Sequence, residues 1–453
     1  MTAAPAPRTA SPSRATTTPD LSVVIPTHNR AASVRRTLEA LAQQTYPAAH
    51  WEVVVVADGC ADETVAMLHA TASALPVRLR VHEQDGQGAG AARNAGAALA
   101  SGATLVFLDD DMQPAPGFVA AHAAIHAGRP EQVALGPSWP VLPGRLDFFR
   151  IMLRAWWLDF FGALAQPGYR HTFRSLAAGN CSLPAAVFAR LGGFDPAIRS
   201  SGGEDWEFGV RLIKADVPFA FAAKAQAQHH DETHLRRSLQ RRRQEGQAEV
   251  VIGRRYPDLC PGLDLARIDT PPSRLDRRLR QLAFAAPATG DALARLSLAL
   301  LDELERRRLR RPWRVLYGHL RDYWYWRGVA DEVGSRAALA ALLQGPAPAD
   351  AGREIDVDLG AGLEAAEQRL DRERPAGVRL HVAGQPVGHL PAEPGAEPLR
   401  GVHLRSALAT TLADRFLRVL AVQAATGASL SASWQPILSG ASPSAGRQPV
   451  RSA

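Results

Sequence analysis

The stretch ATLVFLDDDM, from Ala103 to Met112, runs a short apolar segment directly into three carboxylates, Asp109, Asp110 and Asp111. The segment ATLVFL is typical of a buried β-strand. Three unpaired like charges would be costly inside a core, so they are expected where the strand leaves the sheet. The sequence therefore predicts an acidic strand end at the rim of a sheet.

Three further strand-like runs precede this stretch. LSVVIP and WEVVVVAD are almost continuously apolar and β-branched, which is typical of parallel strands that are buried on both faces, and VRLRVHE follows them. Helical patterns separate the runs: Val34, Leu38 and Leu41 recur at helical spacing, residues 62–72 form a second helix, and GAGAARNAGAALA forms a third of small residues. This alternation predicts an α/β fold with an open, mostly parallel sheet flanked by helices.

Polar clusters follow each of these strands: PTHNR, ADGCADET, EQDGQGAGAARN and the three aspartates. Open α/β sheets bind ligands at the carboxyl ends of their strands, where these clusters would meet. Carboxylates gathered there repel one another unless a cation joins them, and oxygen ligands favour Mg²⁺ or Mn²⁺. An ordinary loop or helix cap remains the alternative reading of the acidic strand end.

A second carboxylate cluster lies in GGEDWEFGVRL. Trp206, Val210 and Ile213 fall on one helical face, so Glu204 and Asp205 are predicted at a helix start. A helix N-terminus stabilises negative charge, which would favour an ionised carboxylate suited to accepting a proton. The alternative is that both side chains only cap the helix.

Taken in order, LSVVIPTHNRAASVRRTLEALAQQTYP, WEVVVVADGCADETV, GAGAARNAGAALASGATLVFLDDDM and GGFDPAIRSSGGEDWEFGVRL resemble family 2 glycosyltransferases, over residues 20–255. The resemblance implies the A-type glycosyltransferase fold and a metal on the donor diphosphate. Asp205 would be the catalytic base. Donor binding would fall to Pro26, Thr27, Arg30, Asp58, Arg93, Asn94, Asp109 and Asp110. Asn180, Glu204 and Trp206 would contact the acceptor or the donor sugar.

The resemblance also implies the metal ligands. Asp109 and Asp111 match the two acids of the D-x-D motif, with Asp111 as the direct ligand of Mn²⁺ or Mg²⁺. In many relatives a histidine further along the chain completes the coordination, and His229 and His230 are the candidates, which spacing alone does not separate. The family usually has Tyr where this chain has His28, so the resemblance leaves the nucleoside base open.

Composition narrows the class of protein. The chain has 453 residues, 46% of them hydrophobic, a net charge of +7, and three widely spaced cysteines that suggest neither a disulfide framework nor a zinc site. The basic runs 236–243 and 306–311 read as solvated helix faces, with anionic lipid headgroups or an anionic substrate as the alternatives. Without a nucleic-acid-binding signature, nucleic acid is not expected as a partner. A cytoplasmic protein is predicted, or one peripheral at the inner face of the membrane.

The aromatic segment around Trp156, Trp157, Phe160 and Phe161 is expected to pack on the sheet, although a sugar platform or a membrane contact is the alternative.

The rest of the chain divides by composition. We expect a disordered leader (1–19), the catalytic domain (20–255), a helical extension (256–345), a small α+β domain (346–426) and a disordered tail (427–453). In the α+β domain, VRLHVAGQPVGHLP predicts a hairpin and LRSALATTLADRFLRVLAV a helix.

The sequence therefore predicts an inverting, metal-dependent glycosyltransferase. It would use a nucleotide diphosphate sugar and act on a glycan, lipid-linked or small-molecule acceptor in cell-surface polysaccharide or glycoconjugate synthesis. Two alternatives stay open: a metal-dependent nucleotidyltransferase, and an inactive glycan-binding or scaffold protein on the same fold.

Overall fold

The fold is taken from a computed structural model that describes residues 19–129, 131–141, 146–198, 203–345 and 352–426. The predicted tail (427–453) and all but the last residue of the predicted leader (1–19) lie outside the described residues. The strands are β1 Leu21–Thr27, β2 Trp51–Asp58, β3 Arg78–Gln84, β4 Thr104–Leu108, β5 Met112–Pro114, β6 Val133–Leu135, β7 Ser138–Pro140, β8 Asn180–Pro184, β9 Phe219–Phe221, β10 Ala227–His229, β11 Glu354–Asp358, β12 Gly377–Val382 and β13 Gln385–Leu390.

The helices alternate with these strands and then dominate the second half of the chain. They are α1 Ala31–Leu41, α2 Thr64–Ala72, α3 Ala89–Leu99, α4 Phe118–His126, α5 Phe148–Leu164, α6 Ala185–Arg190, α7 Gly203–Lys214, α8 Leu235–Arg255, α9 Arg274–Ala285, α10 Pro287–Arg306, α11 Arg310–Val333, α12 Arg336–Leu343, α13 Leu363–Glu373, α14 Gly401–Ala409 and α15 Ala413–Ala425.

Seven strands form the central sheet in the order β3-β2-β1-β4-β8-β6-β9. Strands β3, β2, β1 and β4 are parallel, β8 is antiparallel to both of its neighbours, and β9 is parallel to β6. The predicted open, mostly parallel α/β sheet is confirmed. Every residue of β1 and β2 is buried, as their continuous apolar sequences predict.

The order of the strands determines where a ligand can bind. Strand β1 lies between β2 and β4, so the chain leaves it in one direction and later returns on its other side. Such a reversal opens a crevice beyond the carboxyl ends of the strands. A small sheet, ordered β5-β10-β7, continues directly from β4 and brings His229 to this rim.

The small residues of α3 allow it to pack closely on β1 and β2. A Cβ atom built at Gly96 would lie 2.4 Å from Cγ1 of Val24 and 3.2 Å from Cγ2 of Val56. Because α3 approaches the sheet this closely, its first turn stands directly at the rim.

The region after the central sheet is helical. Helices α8 and α11 cross so closely that a Cβ atom at Gly328 would lie 1.8 Å from the carbonyl oxygen of Arg243. Arg280 of α9 is buried and makes two contacts of 3.0 and 2.8 Å with Asp322 of α11. No helix among the described residues is both long enough and apolar enough to cross a bilayer.

The C-terminal unit is a three-stranded sheet, ordered β11-β12-β13, covered by α13, α14 and α15. The predicted hairpin is present as β12 and β13, which are antiparallel. The single predicted helix is wrong: it is two helices, because the Ala407 carbonyl accepts from the backbone N–H groups of both Thr410 and Leu412 and ends the first one. Two consecutive threonines at this break have low helix propensity.

One buried carboxylate ties this unit to the central sheet. Glu397 accepts hydrogen bonds from the backbone N–H groups of His171 and Phe219 and from the side chain of Arg400. Beside it, Arg170 donates to the carbonyls of Glu397, Pro391 and Ala376. The two parts are therefore held together by a network of charged hydrogen bonds.

Candidate active site

The three aspartates at the end of β4 have three different partners. Asp109 contacts Arg93, Asp110 is bound by Thr27 and Arg30, and Asp111 contacts Arg30. Each carboxylate therefore has a cationic or hydroxyl partner, which explains how three like charges are tolerated at one strand end.

Asp110 is the most enclosed of the three. Its side chain accepts from Oγ1 of Thr27 at 2.7 Å and from Arg30 at 2.8 Å, and its backbone carbonyl accepts from Thr37 at 2.9 Å. Burial raises the pKa of Asp110 to about 6, against the opposing charge of Arg30. Its contacts join β1, α1 and the rim, while Asp109 and Asp111 lie on either side of it.

Asp111 lies between a guanidinium and an imidazole. Arg30 Nη1 is 2.8 Å from Oδ2 of Asp111, and His229 Nε2 is 3.5 Å from Oδ1. Burial alone would raise the pKa of Asp111, but pairing with His229 and Arg30 outweighs it and holds the pKa well below the usual range. Conversely, burial would lower the pKa of His229, and Asp111 raises it.

The side chains of the two candidate histidines, His229 and His230, face different partners. His230 Nε2 is 2.9 Å from Oε1 of Gln113, and the backbone N–H of His230 donates to the carbonyl of Asp111. His229 instead faces Asp111, and its buried Nδ1 has no hydrogen-bond partner among the described residues. The geometry therefore separates two residues that sequence spacing did not.

Arg93 joins the β4 rim to the second carboxylate cluster. Its guanidinium lies 2.7 Å from Asp109, 3.3 Å from Glu204 and 3.7 Å from Asp205. Burial would lower the pKa of Arg93, but the three carboxylates outweigh it and raise the pKa. Asp109 and Asp205 are thus brought to one buried cation although they are distant in sequence.

Asp205 is on the first turn of α7, where the sequence predicted it. Its Oδ2 accepts from the backbone N–H of Ala178 at 3.1 Å, while its buried Oδ1 has no hydrogen-bond partner among the described residues. Burial, together with the nearby charge of Glu204, raises the pKa of Asp205 to about 8. The helix N-terminus favours an ionised carboxylate, as expected from the sequence, but burial has the larger effect.

Glu204 resembles Asp205 in its surroundings. It is buried beside Arg93, its Oε2 also lacks a hydrogen-bond partner in the described chain, and burial raises its pKa. Unpartnered polar atoms of this kind are uncommon in buried positions and call for a ligand or water. Glu204 and Asp205 thus each have a carboxylate oxygen that can accept a further hydrogen bond, and both carboxylates lie beside Arg93.

Several predicted contact residues use their side chains inside the protein. Asp58 accepts from Gln84, from the backbone N–H of Gln87 and from that of Gly88, each at 2.7 Å, and so fixes the loop before α3. The Asn94 amide makes two hydrogen bonds to the backbone of Phe194, at 2.7 and 2.8 Å.

Asn180, Pro26 and Trp206 also pack within the fold. The buried Asn180 amide contacts His122 and the carbonyls of Pro137 and Ala225. Pro26 pairs with Val56 inside the sheet, and Trp206 is partly buried near Phe173 and Arg174. The direct cluster is therefore Arg30, Arg93, Asp109, Asp111, Glu204, Asp205 and His229.

Two neighbours of this cluster were not among the predicted site residues. Trp157 of α5 stands edge-on to His229 with ring centroids 5.2 Å apart, and its Nε1 donates to Asp231 at 3.2 Å. Arg237, at the start of α8, is near enough to Asp111 and Asp231 for their charges to act on its pKa, which burial lowers. In the sequence, the aromatic segment was the signal for Trp157 and the basic run 236–243 was the signal for Arg237.

These features define a class of protein: an open α/β sheet with acids at its switch point and a second acidic pair joined to them by a buried arginine. The comparisons with known proteins agree. The family model described as Glycosyl transferase family 2 matches residues 22–188, and that described as N-terminal domain of galactosyltransferase matches residues 159–236. Residues 22–188 of this chain therefore match glycosyl transferase family 2.

Two individual relatives are similar in sequence to parts of this chain. The chain is 35% identical over 240 residues to validoxylamine A glucosyltransferase of Streptomyces hygroscopicus subsp. jinggangensis, covering 48% of this chain and 57% of the relative. It is 27% identical over 223 residues to the hyaluronan synthase of Pasteurella multocida, covering 43% of this chain and 23% of that protein. The chain thus spans a little over half the length of the first of these relatives, and less of the second.

Among solved structures, a mannosyltransferase from Pyrobaculum calidifontis in complex with GDP-Man and Mn²⁺ is similar over 70% of this chain and 88% of that chain. The TM-score is 0.45 and the sequence identity 19%, so this likeness says nothing about the ligands of the present chain.

Proposed function

We propose that this chain transfers a sugar from a nucleotide diphosphate sugar to an acceptor hydroxyl with inversion of configuration. The observation that carries the proposal is the Arg93 guanidinium, which lies between Asp109 at the β4 rim and Asp205 on α7. A donor held at the rim would thereby have a carboxylate facing its sugar. The setting we propose is cytoplasmic synthesis of a cell-surface polysaccharide or glycoconjugate.

Asp205 is the general base in this scheme. Its unpartnered Oδ1 accepts the proton of the acceptor hydroxyl while the hydroxyl oxygen bonds to the anomeric carbon. The bond from that carbon to the diphosphate oxygen breaks, and its electron pair leaves with the diphosphate. Attack opposite the leaving group inverts the anomeric centre. Glu204 orients the acceptor, and Arg93 holds both carboxylates in place.

A divalent cation, Mn²⁺ or Mg²⁺, would supply charge neutralisation for the departing diphosphate. The donor chemistry of Asp111, His229 and Asp109 suits such an ion, and Oδ1 of Asp111 lies 3.5 Å from Nε2 of His229. Within the described ranges, no three such residues stand at ligand spacing, and Arg30 contacts both Asp110 and Asp111. Arg30 therefore supplies the positive charge beside Asp110 and Asp111 in this structure.

The donor would lie along the rim beside Arg30 and Thr27. Asp58 supports its nucleoside end by holding the loop before α3, and Asn94 holds the segment that leads to α7. Arg237 is a further positive charge beside Asp111 that can contact the diphosphate. Pro26 and Asn180 shape the crevice from inside the sheet.

The test is a product assay with the full chain, Mn²⁺ and a panel of nucleotide sugars. Release of nucleoside diphosphate supports sugar transfer, whereas release of pyrophosphate would identify nucleotidyl transfer. If neither product forms with any donor and acceptor while nucleotide sugars or glycans still bind, the chain is a binding protein and the proposal fails.

Asp205→Asn removes the base without changing its shape. We expect kcat to fall by a factor of about 100 or more, with donor affinity measured by calorimetry unchanged. Asp159→Asn, at an exposed position of α5, is the matched control and should retain full activity. Unchanged turnover in Asp205→Asn would show that another group takes the proton.

A further inference from the structure

We propose that the turn between α10 and α11 docks on an anionic lipid bilayer. The docking surface consists of residues 306–315 together with Leu296 and Leu300, two exposed leucines of α10. This inference does not depend on the reaction that the chain catalyses, because it concerns a surface outside the carboxylate cluster.

Charge is the first argument. Residues 295–314 contain seven arginines and three acids. Glu303 pairs with Arg306 and Arg307, and Glu305 pairs with Arg308. Besides Arg295 on α10, this leaves Arg310, Arg311 and Arg314, which are exposed and have no acidic partner among the described residues. Such a cluster of arginines is what attracts the headgroups of acidic lipids.

Apolar exposure is the second argument. Of the twelve large apolar side chains that are exposed among the described residues, eight lie on or directly beside α5, α10 and α11. Leu296 is 71% exposed and Leu300 51%, one helical turn apart on α10, while Val315 is 59% exposed beside the arginines. Exposed leucines near a run of arginines fit the interface of a bilayer, where both the headgroups and the acyl boundary are within reach. A nucleic acid would leave the leucines without a partner.

The connection to the candidate site is the third argument. The backbone N–H of Phe148, at the start of α5, donates to Glu305 at 3.0 Å, and the Phe148 ring lies edge-on to Trp313. The same helix carries Trp157, which contacts His229. The nine residue steps from Phe148 to Trp157 span about 14 Å at 1.5 Å per residue. A single rigid helix thus joins the docking surface to the site.

The experiment is co-sedimentation of the full chain with phosphatidylcholine vesicles, with and without phosphatidylserine. We expect binding to the vesicles that contain phosphatidylserine, weakening as salt is raised. Each arginine should contribute a factor of about five to partitioning. The triple variant Arg310→Gln, Arg311→Gln, Arg314→Gln should therefore bind about 100-fold more weakly.

The matched control removes the same charge elsewhere. Arg129, Arg372 and Arg418 are exposed and lie outside the docking surface, so their triple replacement by Gln should leave vesicle binding within about twofold of the original chain. A thermal unfolding scan of both variants checks that each is folded. Equal losses in the two variants would mean that net charge alone acts, and would overturn the proposal.

A third variant tests the leucines. Leu296→Ser with Leu300→Ser should weaken binding to the phosphatidylserine vesicles without changing the oligomeric state of the chain. Two results would overturn the proposal: no binding of the original chain to acidic vesicles, or an original chain that is dimeric without lipid and becomes monomeric in the leucine variant. The second result would assign the apolar face to a second copy of the chain.

Discussion

Replacing Arg93 by Met should keep the candidate base, Asp205, protonated at neutral pH although Asp205 itself is unchanged. At 3.7 Å, and with an effective dielectric constant of about 20, the attraction between Arg93 and Asp205 amounts to roughly 4 kcal/mol. That corresponds to about three pKa units. The pKa of Asp205 is raised to about 8 even with the guanidinium present, because the carboxylate is buried beside Glu204. Without Arg93 the pKa of Asp205 should rise by two or three units more.

The assay is nucleoside diphosphate release, followed from pH 6 to pH 10 with the donor selected from the panel. Since the base must be ionised, activity should increase as pH rises through the pKa of Asp205, and the midpoint should lie about two or three units higher in Arg93→Met. At pH 7.5 turnover should therefore fall by a factor of roughly 100 to 1,000, with partial recovery at high pH.

The stability of the same variant has a pH dependence of opposite sign. An acid whose pKa is higher in the folded state than in the unfolded state makes the folded protein less stable as pH rises from the unfolded value to the folded one. For Asp205 this window runs from 3.8 to about 8 in the original chain. In Arg93→Met the decline should continue above pH 8, and loss of the buried pairing should cost about 3 kcal/mol in the free energy of unfolding.

Arg280→Met is the matched control for this experiment. Arg280 is equally buried and is paired with Asp322 in the helical region, away from the carboxylate cluster. It should lower the free energy of unfolding by a similar amount but leave the midpoint of the activity profile unchanged. If Arg93→Met keeps the original midpoint and turnover, the electrostatic coupling of Arg93 to Asp205 is refuted.

Three other changes have defined outcomes. His229→Ala should weaken Mn²⁺ binding by about tenfold or more in a calorimetric titration, whereas His230→Ala should not; equal losses would contradict the assignment of His229. Glu397→Gln should lower the free energy of unfolding by about 3 kcal/mol at neutral pH, measured by urea denaturation. Burial would raise the pKa of Glu397, but the hydrogen bond with His403 and the charge of Arg400 outweigh burial and lower it. The contribution of Glu397 to stability should therefore be lost as pH falls below 4.5, and a difference between the variant and the original chain that persists in acid would contradict this reasoning. Gly96→Ala should cost about 1–3 kcal/mol, because the new Cβ would lie 2.4 Å from Val24; a neutral change would mean that α3 can move off the sheet.

Sequence reasoning succeeded where a pattern has one physical solution. A continuous β-branched run such as that of β2 can only be buried on both faces, and three aspartates can only follow a strand that has left the core. The ends of such strands meet at one edge of a parallel sheet, so the gathering of acids there could be predicted from the sequence. The break between α14 and α15 could not, because it depends on how one carbonyl is shared in the folded chain.

Individual side chains were harder to predict because a polar residue near a site can either contact a ligand or hold the site in shape. Asp58, Asn94 and Asn180 were expected at the crevice, yet each satisfies its hydrogen bonds within the protein. By contrast, Asp205 and His229 each have a buried polar atom that makes no hydrogen bond within the described chain. Only the folded structure shows which buried polar atoms lack a hydrogen bond. This lack distinguishes a group that can receive a proton or a cation from one that positions a loop. The same reasoning explains why the raised pKa of Asp205 was not foreseen. A helix start predicts an ionised acid, whereas burial beside Glu204 opposes ionisation, and only the packed structure shows which effect is larger.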